Sequence, residues 1–132
     1  MKHYLPPLCA FLLGGGLYGL CELAWRGRTH WTMLLAGGFC LLLLYLLGAL
    51  PLRLWQRCLL GMGLITAVEF LVGCVVNLWL GWGVWDYSAR FGNLLGQICP
   101  LYSLYWLGLS LPASLLCDLL RRLFRIAIPA LG

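Results

Sequence analysis

An all-α, polytopic integral membrane protein, a bundle of four transmembrane helices joined by short loops, is the fold class this sequence predicts. Two observations carry that prediction. Hydrophobic residues make up 63% of the 132 residues and charged residues only 10%, too little polar surface to clothe a soluble domain. The chain also holds four apolar runs, each close to the roughly 20 residues a helix needs to cross ~30 Å of hydrocarbon. None of the runs shows the period-2 alternation of barrel strands. The length allows a single membrane domain, 1–132.

The first helix is expected at about 5–25. Lys2 ahead of an apolar run has the look of a secretory signal, but the run is long and glycine-rich, and it reads as an uncleaved span. Gly15, Tyr18, Gly19 and Glu22 fall within about 100° of one another on a helical projection. Glycines four apart permit close helix approach, and Glu22 can reach Arg26 at i+4. The second helix, about 31–50, carries no charge and is expected to be the most lipid-exposed. The third, about 58–80, places Met62, Thr66, Glu69, Gly73 and Asn77 within about 80°. On the fourth, about 94–117, Asn93, Gln97, Pro100, Ser103, Ser110, Ser114 and Asp118 fall within about 140°. Proline removes a backbone donor, so a kink is expected near Pro100. A basic tail, 118–132, follows.

Basic residues orient the bundle. With four spans, Lys2, Arg53, Arg57, Arg121, Arg122 and Arg125 share one side, and Arg26, Arg28 and Arg90 the other. Six against three places both termini in the cytoplasm, with dual topology left open. The net charge of +5 is a charge for membrane lipid, not for nucleic acid. The seven cysteines form no C-x-x-C pair and lie within or at the ends of the runs. They read as small buried hydrophobes, and no metal ligand set or cofactor site is expected.

Function is sought where polarity enters the bilayer, because a charge there costs a few kcal/mol, ~2.5–3.5 at a helix centre. Glu69 is the acid near the middle of a span. A purely structural contact could be made by glutamine, so a protonatable carboxyl, or a partner for a cationic ligand, is the sharper reading. The run "LWLGWGVWDYSARFGN", 78–93, concentrates further polar and aromatic residues at the outer boundary. Tryptophans collect at that depth in any membrane protein, which leaves Asp86, Tyr87, Ser88, Asn93 and Gln97 unexplained. An outer cap over an intramembrane cavity between helices three and four accounts for them. Glu69 and Asn77 form one wall, Gln97 and Ser103 the other, and Trp85 and Tyr87 close over it, with indole faces suited to a cation. Asp86 and Asn93 cap the turn and the start of the fourth helix. A structural cap role for Asp86 stands beside a ligand role, and the serines and glycines can serve simply to hold the bundle together.

Residues 68–106, "VEFLVGCVVNLWLGWGVWDYSARFGNLLGQICPLYSLYW", resemble the CmpB-like family of small bacterial membrane proteins classed as type IV ABC-transporter permeases. Glu69-Phe70, Asn77, Trp85 with Asp86-Tyr87-Ser88, Asn93, the "GQICP" segment, Ser103 and Trp106 carry the likeness, which covers about residues 60–125. Relatives often have a proline before the asparagine, where this chain has "ARFGN". The resemblance implies transport in a bacterial cytoplasmic membrane and adds Trp106 to the candidate ligand-binding residues. The sequence has no G-x-x-x-x-G-K-[ST] and so cannot hydrolyse ATP unaided.

Three functions compete: a self-sufficient transporter coupled to protons or another cation, the non-ATPase membrane subunit of a larger complex with a separate ATPase, and a membrane-embedded lipid-acting enzyme or regulator. No nucleophile–base pair is visible and no catalytic residue is assigned. Four helices make a narrow path, so a homodimer or higher homo-oligomer is expected.

Overall fold

The computed structural model describes residues 2–127; the end of the expected basic tail, 128–132, lies outside the described residues. After a short turn, Lys2–Tyr4, four helices follow: α1 Leu5–Arg26, α2 Trp31–Leu47, α3 Leu54–Gly73 and α4 Pro100–Ala127. α3 runs on through a π-helical segment, Cys74–Trp79. The spans Leu5–Arg26, Leu54–Trp79 and Pro100–Ala127 are long and apolar enough to cross a membrane, and α2 is a shorter apolar helix of 17 residues.

Local chemistry sets the helix ends. Gly27, at φ 72°, ends α1, its amide closing on the Leu23 carbonyl at 3.0 Å. His30 caps α2, with Nδ1 accepting from the Thr32 amide at 3.3 Å. Gln56 Oε1 accepts the Arg53 amide at 2.9 Å at the start of α3. Pro100 opens α4, a position where its missing amide leaves no bond unmade.

That placement corrects the expected kink. Residues 94–99 are not helical, and Leu95 and Gly96 have φ of 54° and 72°. Left-handed residues cannot lie within a right-handed helix, so Pro100 has no preceding turn to bend. The proline inside α4 is Pro112, which supplies no amide to the carbonyl four residues earlier.

α2 also departs from expectation. It packs against all three other helices, and Leu41, Leu44 and Tyr45 bury beside Ala10, Cys117 and Leu120. A helix apolar on every side has no polar face to keep it out of a bundle's centre. The glycine face of α1, expected to permit close helix approach, is used inside the chain. A Cβ on Gly15 would stand 2.8 Å from the Leu34 carbonyl oxygen, and one on Gly38 would stand 2.6 Å from that of Phe11. Backbone thus meets backbone across the α1–α2 hairpin.

At the end bearing the 48–53 turn, Arg57 donates to both carboxylate oxygens of Asp118 at 2.9 Å. Arg121 donates to the Tyr45 carbonyl at 2.5 Å and lies 4.1 Å over its ring. Arg121 thus closes the C-terminal end of α2, where the helix carbonyls favour cations, while Arg57 ties α3 to α4. Gly38→Val should lower stability by about 1–3 kcal/mol through overpacking, read as thermal unfolding in micelles. Gly63→Ala, where a Cβ meets nothing within 4 Å, should leave it unchanged.

Candidate functional site

α3 carries Glu69 to the middle of the bundle, where the residue is only 7% exposed. Two neutral donors hold its carboxylate. The Tyr87 hydroxyl donates to Oε2 at 2.9 Å, and the Trp106 indole donates to Oε1 at 3.2 Å. Glu69 makes no ion pair among the described residues. The three residues come from α3, the loop 80–99 and α4, so one carboxyl ties three segments together. Tyr87 stacks on Tyr102 with centroids 4.7 Å apart, and Tyr18 of α1 packs on Trp106 at 6.0 Å.

The loop earns that position for Tyr87 through a chain of local contacts. The π-helical turn ends with the Leu80 amide on the Val75 carbonyl at 2.9 Å, one residue wider than an α turn. It leaves Asn77 Oδ1 to accept the Val84 amide at 2.6 Å and Asn77 Nδ2 to donate to Gln97 Oε1 at 2.8 Å. Trp85 follows, buried, its indole donating to the Gln97 carbonyl at 3.0 Å. It lies against Gly73, where a Cβ would stand 2.9 Å from the ring and 2.5 Å from Gln97 Oε1. Only glycine leaves room for that wedge. The Tyr87 amide then donates to the Gly96 carbonyl at 2.7 Å.

Asp86 and Asn93 shape the outer turn. The Ser88 hydroxyl and amide both donate to Asp86 Oδ1, and those bonds hold its carboxyl below the usual carboxylate range. Its contribution to the turn is therefore present at neutral pH and is lost as pH falls through that lowered value. Asn93 Nδ2 donates to the Ser88 and Arg90 carbonyls at 3.1 and 2.9 Å, and Oδ1 accepts the Gly96 amide at 3.0 Å. Asn93 thus caps a turn inside the loop, not the start of α4.

Two adjoining hollows meet at this site. A cavity of about 310 Å³ runs between the helices, with Tyr18, Met33, Cys40, Glu69, Trp85 and Trp106 on its walls. A groove of about 680 Å³ continues from it between α1 and α4. Tyr18, Trp85 and Trp106 border both. Among the candidate residues, Glu69, Trp85, Tyr87 and Trp106 border this space. Asn77, Gln97 and Ser103, expected on the walls, do not line either hollow. Asn77 and Gln97 bond to each other, and the Ser103 hydroxyl meets that of Thr66 at 3.0 Å, joining α4 to α3. Asp86 lies in the exposed turn.

The sequence reading missed the wall from α1. Tyr18 and Glu22 share its glycine face, and that shared face was the signal that could have placed them here. Tyr102 was missed as well, although it stands four residues before Trp106 and so on the same side of α4.

Residues 26–128 match the family described as "Putative ABC-transporter type IV", the CmpB family. The chain belongs to that family. The match includes α2, α3, the loop and α4, and so every candidate residue from Glu69 to Trp106. No curated protein and no solved structure matches the chain. The apolar helices and the CmpB family together make it a membrane protein of ABC-transporter type.

In this CmpB-family chain, Gln97→Leu should leave Asn77 Nδ2 and the Leu95 carbonyl without partners, at a cost of about 1–3 kcal/mol. Faster proteolysis within 80–99, with the helices still intact by circular dichroism, is the expected result.

Proposed function

We propose that the chain is a small transport protein of a bacterial cytoplasmic membrane, with both termini cytoplasmic, in which Glu69 is the proton- or cation-responsive group. The supporting observation is a buried carboxyl on a cavity wall that is held by two neutral donors and makes no ion pair among the described residues. A carboxylate inside a membrane is costly and marks ion or substrate pathways. Held by a phenol and an indole, Glu69 can take up or release charge without breaking a salt bridge. Tyr87, Trp85 and Trp106 form the rest of the site. Asn77, Asp86, Asn93, Gln97 and Ser103 act on it by fixing the loop and α4. Self-association completes a path too narrow in one copy.

The family's name favours a second reading, in which the chain is the membrane subunit of an ATP-driven complex. In that reading ATP is hydrolysed outside residues 1–132, which hold no phosphate-cradling G-x-x-x-x-G-K-[ST].

A pH jump on the purified protein adsorbed on a solid-supported membrane should produce a transient displacement current. Glu69→Gln should reduce that current at least tenfold. A current of equal size in Glu69→Gln would contradict the role given to Glu69.

A further inference from the structure

The groove between α1 and α4 offers an entrance from the side. Tyr18 and Trp25 stand on its α1 wall, Tyr102 and Tyr105 on its α4 wall, and Tyr87 and Trp85 close its loop end. Trp25 and Tyr105 meet edge to face across it at 6.5 Å. Because it joins the cavity at Tyr18, Trp85 and Trp106, a ligand entering between the two helices would reach Glu69 without passing through the capped end.

The charges along this route are uneven. Glu22 borders the groove, is 7% exposed, and gives Oε2 to Arg26 at 2.8 Å, while its Oε1 is buried with no hydrogen-bond partner among the described residues. Arg26 is the cation among the residues lining the two hollows, against the carboxylates of Glu22 and Glu69. Arg26 is itself engaged by Glu22 and by the Val84 carbonyl at 3.2 Å. With both carboxyls ionised, one negative charge exceeds the Arg26 cation, and one buried oxygen is left over, in a space otherwise walled by aromatic and aliphatic groups, with Arg90 5.6 Å over the Tyr102 ring. Such walls attract cations through the ring faces and accept apolar bulk. A hydrated inorganic cation would find few oxygens here to replace its water. A neutral amphiphile would leave the excess charge unmet.

We infer that the substrate class is a lipophilic organic cation, taken from the bilayer through the α1–α4 groove and held with its charge near Glu69. This rests on the transport reading above and adds to it both the ligand's chemistry and its route.

Gly108 gives the means of testing the route. It lines the groove, and a Cβ built on it meets nothing within 4 Å, so a large side chain there occupies the groove without displacing a neighbour at its root. The experiment is equilibrium binding of tetraphenylphosphonium to the full chain in lipid nanodiscs, with tetraphenylborate as the anion of the same shape. Saturable binding of the cation alone is expected, weakened at least tenfold in Glu69→Gln and in Gly108→Phe. Glu22→Gln should weaken it severalfold. Equal retention of both ions, or binding unchanged in Glu69→Gln and Gly108→Phe, would mean partition into lipid and overturn the inference. Absence of tetraphenylphosphonium binding, in a protein whose pH-jump current still depends on Glu69, would also overturn it while leaving the transport reading intact.

Discussion

A single buried carboxyl, Glu69, sets the requirements for the rest of the structure. Placing it at membrane depth without a cation demands donors that are themselves fixed in place. Trp106 is fixed because α4 packs on α3, with Ser103 bound to Thr66 one turn before it. Tyr87 is harder to fix, since it lies in a 20-residue irregular connection. The Trp85 wedge, the Asn77–Gln97 bond and the widened turn at the end of α3 do that work. Each of these exists to satisfy backbone or side-chain polarity that the bilayer would not hydrate. The loop is therefore a folded cap whose own hydrogen bonding delivers one phenol to one carboxylate.

The two ends of the bundle are stabilised by different means. At the capped end, neutral amides, indoles and phenols dominate, and the ionic contact there is the Glu22–Arg26 pair. At the opposite end, Arg57, Asp118 and Arg121 join α2, α3 and α4 through charge. Between them, glycine contacts hold α1 to α2 at a distance where backbone touches backbone. α1 touches α4 far less than it touches α2, and the groove lies where that contact is thin.

Hydropathy made the four helices legible, and three of them among the described residues are long and apolar enough to cross a bilayer. The polar stripe of α3 was legible too, since a 3.6-residue period decides which residues share a face. The start of α4 was not. A projection that treats Asn93 and Gln97 as helical assumes right-handed backbone through Leu95 and Gly96, and nothing in the apolar pattern of "NLLGQICP" reveals the left-handed pair. The sequence placed Asn77, Gln97 and Ser103 on a cavity wall because a polar stripe looks the same whether it faces a ligand or another side chain. Only the partner's position tells the two apart, and Gln97 and Thr66 supplied it. The contribution of α1 was hidden for the opposite reason. Its polar residues are few, and they matter because α2 leaves that face partly uncovered.

The most direct measurement is the dipolar coupling between Glu69 Cδ and Trp106 Nε1 in lipid bilayers, by solid-state NMR of the chain labelled with ¹³C-glutamate and ¹⁵N-tryptophan. A measurable coupling that disappears in both Trp106→Phe and Glu69→Gln is the predicted result. No coupling in the unmodified chain would contradict the account, because Glu69 would then not be the carboxyl that joins α3 to α4.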